Sequence, residues 1–185
     1  MEVLFVTGNS RKVWQAQEAL KLFGITVVNQ DCEVQEIQSH DATEISIAKA
    51  KSAFELLKKP VVINDHYWEI PALGGFPGGY MKDVNHWFTA EDFLSLLAGK
   101  TDRTGILTEN VVYYDGQEAK HFAAKFQGKF INEARGTGHV PSERVFIYDG
   151  RDSTIAECVD RGEHARDINK SAWKLFGEWY GQKDV

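Results

Sequence analysis

The chain is short of cysteine, of cations and of long apolar runs, and each shortage removes a class of protein. Cys32 and Cys158 stand alone, with neither a Cys-x-x-Cys pair nor a Cys/His spacing, so no structural zinc site or disulfide framework is indicated. A reducing, cytoplasmic setting fits such a chain. Lys and Arg number 21 against 27 Asp and Glu, a net charge of −6. That balance argues against nucleic acid as a partner, because sequence-independent affinity for a duplex comes largely from cations meeting phosphates. An anionic small molecule can still bind where a few cations converge. The opening stretch, MEVLFVTGN, has an acidic second residue and five apolar residues before a turn, which reads as neither a signal peptide nor a membrane span. No membrane partner is expected. There is no internal repeat and no low-complexity linker, and 185 residues fit a single domain, 1–185, that buries roughly two-thirds of its unfolded surface.

What is present centres on Pro60 to Lys82, PVVINDHYWEIPALGGFPGGYMK. The β-type run Val61 to Asn64 delivers one carboxylate, Asp65, at the end of a buried strand, where the catalytic groups of α/β proteins tend to sit. Gly74, Gly75, Pro77, Gly78 and Gly79 then crowd into six positions, a close-fitting loop that closes on Tyr80 and Lys82. Such a loop suits a phosphate or a neighbouring subunit; the plain alternative is a strand followed by a surface turn.

Earlier in the chain, Glu2 to Val6 reads as a buried strand, Thr7-Gly8-Asn9-Ser10 as a tight turn, and Val13, Ala16, Leu20 and Phe23 as the apolar stripe of a helix stopped by Gly24. A strand, turn and helix in this order aim backbone N–H groups and a positive helix end outward, with Lys12 in the first turn, so residues 7–12 form a candidate phosphate cradle. Units of this kind are also common without ligands. Ile25 to Val28 is a second strand. Val34 to Gln38 is a possible short strand in which Glu36, between apolar neighbours, either faces inward or is solvated. A helix is predicted from about Thr43 to Lys58, capped by Asp41 or Thr43, with Ile45, Ala48, Ser52 and Leu56 on one face and Lys49 within it. After the central stretch come a helix over Thr89 to Leu97 with a Thr89/Asp92 capping box, and a hairpin of Gly105 to Tyr114 and Glu118 to Phe126 turning at Asp115-Gly116. Strands over Lys129 to Asn132 and Val145 to Tyr148 and a helix from about Arg166 to Tyr180 complete the chain. Helices with parallel-type strands giving way to hairpins indicate an α/β domain with a mixed sheet.

Taken in order, Thr7-Gly8-Asn9 with Lys12, Glu36-Ile37-Gln38, Lys49 in a helix opening Glu44-Ile45, Asp65, and then Ala72-Leu73-Gly74-Gly75-Phe76-Pro77-Gly78-Gly79-Tyr80 resemble the Ham1, or inosine triphosphate pyrophosphatase, family. Phe126-Gln127-Gly128, Arg135-Gly136, Asp149-Gly150 and Thr154-Ile155-Ala156-Glu157 are similar to later landmarks of that family. The resemblance spans most of the chain. It implies an elongated, two-lobed α/β fold, a mixed sheet flanked by helices with a central cleft, usually as a homodimer. It implies Mg2+-assisted attack of water on the α-phosphorus of a nucleoside triphosphate, giving the monophosphate and pyrophosphate. Asp65 would be the catalytic group and, with Glu36, the metal carboxylate pair. Thr7, Gly8, Asn9, Ser10, Lys12, Lys49 and Lys82 would hold the triphosphate.

The departures gather where the family reads its base. The family's Phe-Gly-aromatic-Asp segment is replaced by Val140-Pro141-Ser142-Glu143, its Lys-Asn pair by Glu163-His164, and its Ser-His-Arg by Asp167-Ile168-Asn169. Asn64 and His66 flank Asp65 where the family tends to have an acid and a Thr or Ser. His66, Glu143 and Asn169 are therefore expected as this chain's own substrate-binding residues, and the substrate as a purine nucleoside triphosphate, canonical or non-canonical. The alternative is a catalytically altered nucleotide-binding or regulatory protein on the same fold.

Overall fold

A computed structural model describes residues 1–183. In chain order the elements are β1 (Glu2–Val6), α1 (Ser10–Lys21), β2 (Thr26–Gln30), α2 (Ala42–Leu57), β3 (Val61–Glu69), the two-residue β4 (Pro77–Gly78), α3 (Met81–Trp87) and α4 (Ala90–Leu96). There follow β5 (Thr104–Tyr114), β6 (Ala119–Phe130), β7 (Phe146–Tyr148), α5 (Ile155–Asp160) and α6 (Ala172–Tyr180), with 3-10 turns at Pro71–Leu73, Pro141–Arg144 and Ile168–Lys170. The strand order is β2-β1-β3-β5-β6-β7, with β4 added beside β3. β1 pairs parallel to β2 and β3, while β3/β4 and β6/β7 are antiparallel. This is the mixed α/β fold, a mixed sheet flanked by helices, that the element order implied.

Two compact units divide the chain: Met1–His66, Glu109–Ala124 and the segment from Ile168 form the first, and Tyr67–Thr108 with Lys125–Asp167 the second. In the first unit β1, the start of β3 and the end of β5 are apolar on both faces, as expected where helices cover both sides of a sheet. Val3, Phe5, Val62, Val111 and Tyr113 meet α1 and α6, with Phe5 edge-on to Trp173 at 4.8 Å between ring centroids. The alternate residues Val6, Val61, Ile63 and Val112 meet Ala50 and Ala53 of α2. In the second unit Trp68, Phe93, Phe130 and Phe146 form an aromatic core, with Trp68 to Phe146 and Phe130 to Phe146 both 4.9 Å between centroids.

The caps follow local sequence. Asp41 caps α2, accepting from the N–H groups of Thr43 and Glu44, and Thr89 with Asp92 forms the expected capping box on α4. Five expectations are corrected. β3 runs on to Glu69, so Asp65 lies in mid-strand rather than at a strand end. Residues 34–38 form no strand; Val34, with the preceding Cys32, packs as irregular chain against the α2 side of the sheet. The segment 129–130 continues β6 instead of starting a new strand, and α6 begins only at Ala172, after a separate 3-10 turn. Finally, α2 buries Ser46, Ala50 and Ala53 while Leu56 is 58% exposed, because small side chains let the helix approach the sheet closely. α3 and α5 have no counterpart in the sequence reading. Among the described residues no helix is long and apolar enough to cross a membrane.

Candidate active site

The site is assembled within the first unit, around Asp65. β3 sets this carboxylate on the face that α2 covers, and the two helices that follow β1 and β2 each bring one lysine to it. Lys12, in the first turn of α1, has its Nζ 3.8 Å from Asp65 Oδ1 and donates to the backbone carbonyl of Asn64 at 2.9 Å. Lys49, in mid-α2, lies 3.8 Å from Asp65 Oδ2 and donates to Glu36 Oε1 at 2.5 Å. One ammonium therefore bridges the two acids that the sequence reading paired. Glu36 itself is 44% exposed on its irregular segment, so the alternative of a solvated rim position describes it better than an inward one.

The electrostatics of Asp65 rest on opposed influences. Burial is the largest, and it pushes the carboxyl up; the Lys12 and Lys49 ammonium groups, the hydrogen bond from the His66 N–H and the nearby His66 ring together outweigh it and hold the group below its usual 3.8. The carboxylate is ionised at neutral pH. Its Oδ1 accepts that His66 N–H at 3.0 Å, which fixes its rotamer.

The 7–10 turn is built differently from the expected cradle. Asn9 caps α1, its Oδ1 accepting from the N–H of Arg11 at 3.0 Å and of Lys12 at 3.2 Å, and Thr7 Oγ1 accepts the N–H of Asn9 at 3.1 Å. These three N–H donors are therefore engaged within the turn itself. A Cβ on Gly8 would stand 2.9 Å from the Asp31 carboxylate, so a larger residue there would displace that side chain.

Of the other expected residues, His66 follows Asp65 directly and faces the opposite side of β3, its Nε2 3.6 Å from Glu109 Oε1. Asn169 is exposed in the 3-10 turn beside α1. Lys82, exposed at the second position of α3, and Glu143, half-buried in the Pro141–Arg144 turn, belong to the second unit. Sequence reasoning missed Glu109, Asn110 and His121. Glu109 and Asn110 are buried in mid-β5; the Asn64 amide donates to the Asn110 carbonyl at 3.0 Å, and His121 Nε2 donates to Asn110 Oδ1 at 2.8 Å. The available signal was a Thr-Glu-Asn interruption between apolar Leu107 and Val111-Val112. Among the described residues no cluster of three or more His, Cys, Asp or Glu side chains is arranged to hold a metal ion.

Fold and site together define a class: an α/β protein with a mixed sheet in which two lysines flank a mid-strand aspartate and a second acid shares one of them. A Ham1 family model matches residues 3–179, and the chain belongs to that family. It is 34% identical over 181 residues to the dITP/XTP pyrophosphatase of Methanopyrus kandleri, covering 97% of this chain and 96% of the relative. It is 31% identical over 167 residues to the inosine triphosphate pyrophosphatase of Yarrowia lipolytica, covering 89% and 88%. Among solved structures, a HAM1 protein from Coxiella burnetii superposes with a TM-score of 0.79 at 19% identity, covering 97% of this chain and 98% of that one. The Staphylococcus aureus Ham1 protein gives 0.75 at 20% identity over the same shares.

Proposed function

We propose that this chain is a hydrolase of acid anhydrides that cleaves a nucleoside triphosphate, of the non-canonical purine kind named for its relatives, to the monophosphate and pyrophosphate. The observation that carries this reading is Asp65 held 3.8 Å from both Lys12 and Lys49, with Glu36 on the second lysine. The two ammonium groups offer a polyphosphate tail fixed positive charge, which offsets what develops on a leaving pyrophosphate. A ligand that draws those lysines onto its phosphates weakens their hold on Asp65. Burial, the largest influence on that carboxyl, then raises it toward the range of a useful proton acceptor, and Asp65 can take the proton of an attacking water.

Mg2+ fits the donor set. A hard cation takes oxygen ligands and keeps several waters, so Glu36 and Asp65 with phosphate oxygens suffice without a closed cage of side chains. When bound, the ion supplies charge neutralisation and a more acidic water. The roles that the resemblance gives Thr7, Gly8, Asn9, Ser10, Lys82, Glu143 and Asn169 in binding the substrate stay part of this proposal, as does action of residues 1–185 as one domain. So do a cytoplasmic setting, supported by two free thiols, and the homodimer that the resemblance implies.

The test is product analysis over ATP, GTP, dGTP, ITP, dITP and XTP, with Mg2+ and with the metal chelated. Pyrophosphate and the monophosphate should form from at least one deaminated purine triphosphate, only with Mg2+. Nucleotide binding without turnover of any member, or release of orthophosphate instead, would overturn the reading.

A further inference from the structure

Asp65 is preceded in β3 by an asparagine that is 3% exposed. Val62 packs toward α1 and α6 and Ile63 toward α2, so alternation along the strand puts Asn64 on the α1 and α6 side and Asp65 on the other. Asn64 thus stands behind the charged cluster. Burial favours an apolar side chain at such a place, and an amide is kept from water only at a cost that its hydrogen bonds must offset. Its Nδ2 donates to the Asn110 carbonyl of β5 at 3.0 Å, while its Oδ1 meets no donor among the described residues. One bond between strands therefore sets how this amide sits. Asn110 is itself 2% exposed, and its side-chain Oδ1 takes His121 Nε2 of β6 at 2.8 Å, so the accepting strand is pinned at the same point.

The main chain of the same residue reaches into the site. Among the contacts of Lys12, the Asn64 carbonyl at 2.9 Å is a directional hydrogen bond, whereas Asp65 Oδ1 at 3.8 Å is an ion pair beyond hydrogen-bond length. A lysine carries a compact charge on a flexible stem, so where its ammonium waits depends on such an acceptor. We propose that Asn64 is a positioning residue: the bond from its amide to β5 fixes the carbonyl that anchors Lys12, and so places that ammonium for the phosphate tail of the substrate. This rests on the reading of the chain as a triphosphate hydrolase. An ammonium has several N–H donors, so one stays on the carbonyl while the charge meets a phosphate. Ordering the lysine before the ligand arrives reduces the entropy lost on binding, and once the ligand is bound its phosphates hold the lysine themselves. The benefit therefore appears in KM rather than in kcat.

The experiment compares wild type, Asn64→Leu, Lys12→Met, Lys49→Met and the two combinations with Asn64→Leu on the preferred triphosphate, and records the Lys12 ammonium 15N signal without nucleotide. Asn64→Leu should raise KM by about fivefold with kcat within about twofold. It should add nothing in the Lys12→Met background and its full effect in the Lys49→Met background. The Lys12 signal should be sharp in the wild type and broadened in Asn64→Leu. An unchanged KM, a fall in kcat alone, or an effect that adds to that of Lys12→Met would overturn the proposal. If Asn64→Leu does not fold, the smaller Asn64→Ala takes its place with the same expectations; if neither folds, the wild-type signal decides, and one as broad as that of an exposed lysine overturns the anchoring. If no triphosphate is turned over, the proposed function fails, and a Lys12 signal equally sharp in wild type and Asn64→Leu would overturn the positioning role separately.

Discussion

At the residue scale the account turns on one carboxyl whose environment pulls in two directions. Burial alone would leave Asp65 reluctant to ionise; Lys12 and Lys49 reverse that. Asp65→Asn keeps the size and the acceptor for the His66 N–H but removes the charge and the proton acceptor. It should lower kcat by about 10^2- to 10^4-fold while nucleotide affinity, measured by calorimetry, changes only a few-fold. His121 offers a separate check on the buried polar group around Asn110. Desolvation is the main cause of its lowered pKa, partly countered by Asp41, so the folded protein holds this proton less tightly than the unfolded chain, whose value is near 6.5. Stability is therefore full above that value and falls as pH drops through it toward the folded pKa. The wild type should lose more Tm between about pH 7.5 and pH 5.5 than His121→Gln does, read by thermal melts. An equal loss in both would remove His121 from the pH response.

The residues that carry charge in a recognisable order, Lys12, Glu36, Lys49 and Asp65, were legible in the sequence, because each stands in a segment whose pattern fixes its neighbours. Glu109, Asn110 and His121 were not. A strand of a hairpin normally alternates between core and solvent, so polar residues within it read as an outer face; only helix cover on both sides of β5 makes them buried.

Elements were legible in kind and less so in extent. The run Val61 to Asn64 was recognised, but pairing with β4 at Trp68 and Glu69 carries β3 five residues past Asn64, to Glu69, and this no periodicity announces. The face of α2 was misjudged because hydrophobicity was weighed and size was not: Ser46, Ala50 and Ala53 are buried for being small. Size also explains Gly128 in β6, within the Phe126-Gln127-Gly128 landmark. A Cβ there would stand 2.1 Å from the Ile147 carbonyl oxygen and 2.7 Å from the Phe146 ring, so the β6/β7 pairing could not form undisturbed. Gly128→Ala should cost about 3 kcal/mol and lower Tm by about 6 to 12 °C. A melt within about 2 °C of wild type would show that β7 yields more easily than the backbone contact implies.

On the scale of the whole molecule, the relatives match nearly the full chain, while the chain keeps a net charge of −6. A polyanionic substrate therefore meets a protein of its own sign, and only a local group of cations can reverse that. Lys12 and Lys49, placed by two different helices, supply the cations of such a group, balanced at rest by Asp65 and Glu36. Because short-range contacts with these lysines, rather than the general field, attract the ligand, raising ionic strength should change KM for the triphosphate less than replacing either lysine by methionine does. Steady-state kinetics at low and high salt checks this; a salt effect larger than the loss of a lysine would mean that long-range charge governs binding.

The central claim is that water attacks the α-phosphorus of the triphosphate. Hydrolysis of the preferred triphosphate in 18O-labelled water, with products resolved by mass spectrometry, tests it most directly. The account predicts one labelled oxygen in the nucleoside monophosphate and none in the pyrophosphate. Label in the pyrophosphate, or in released orthophosphate, would contradict it.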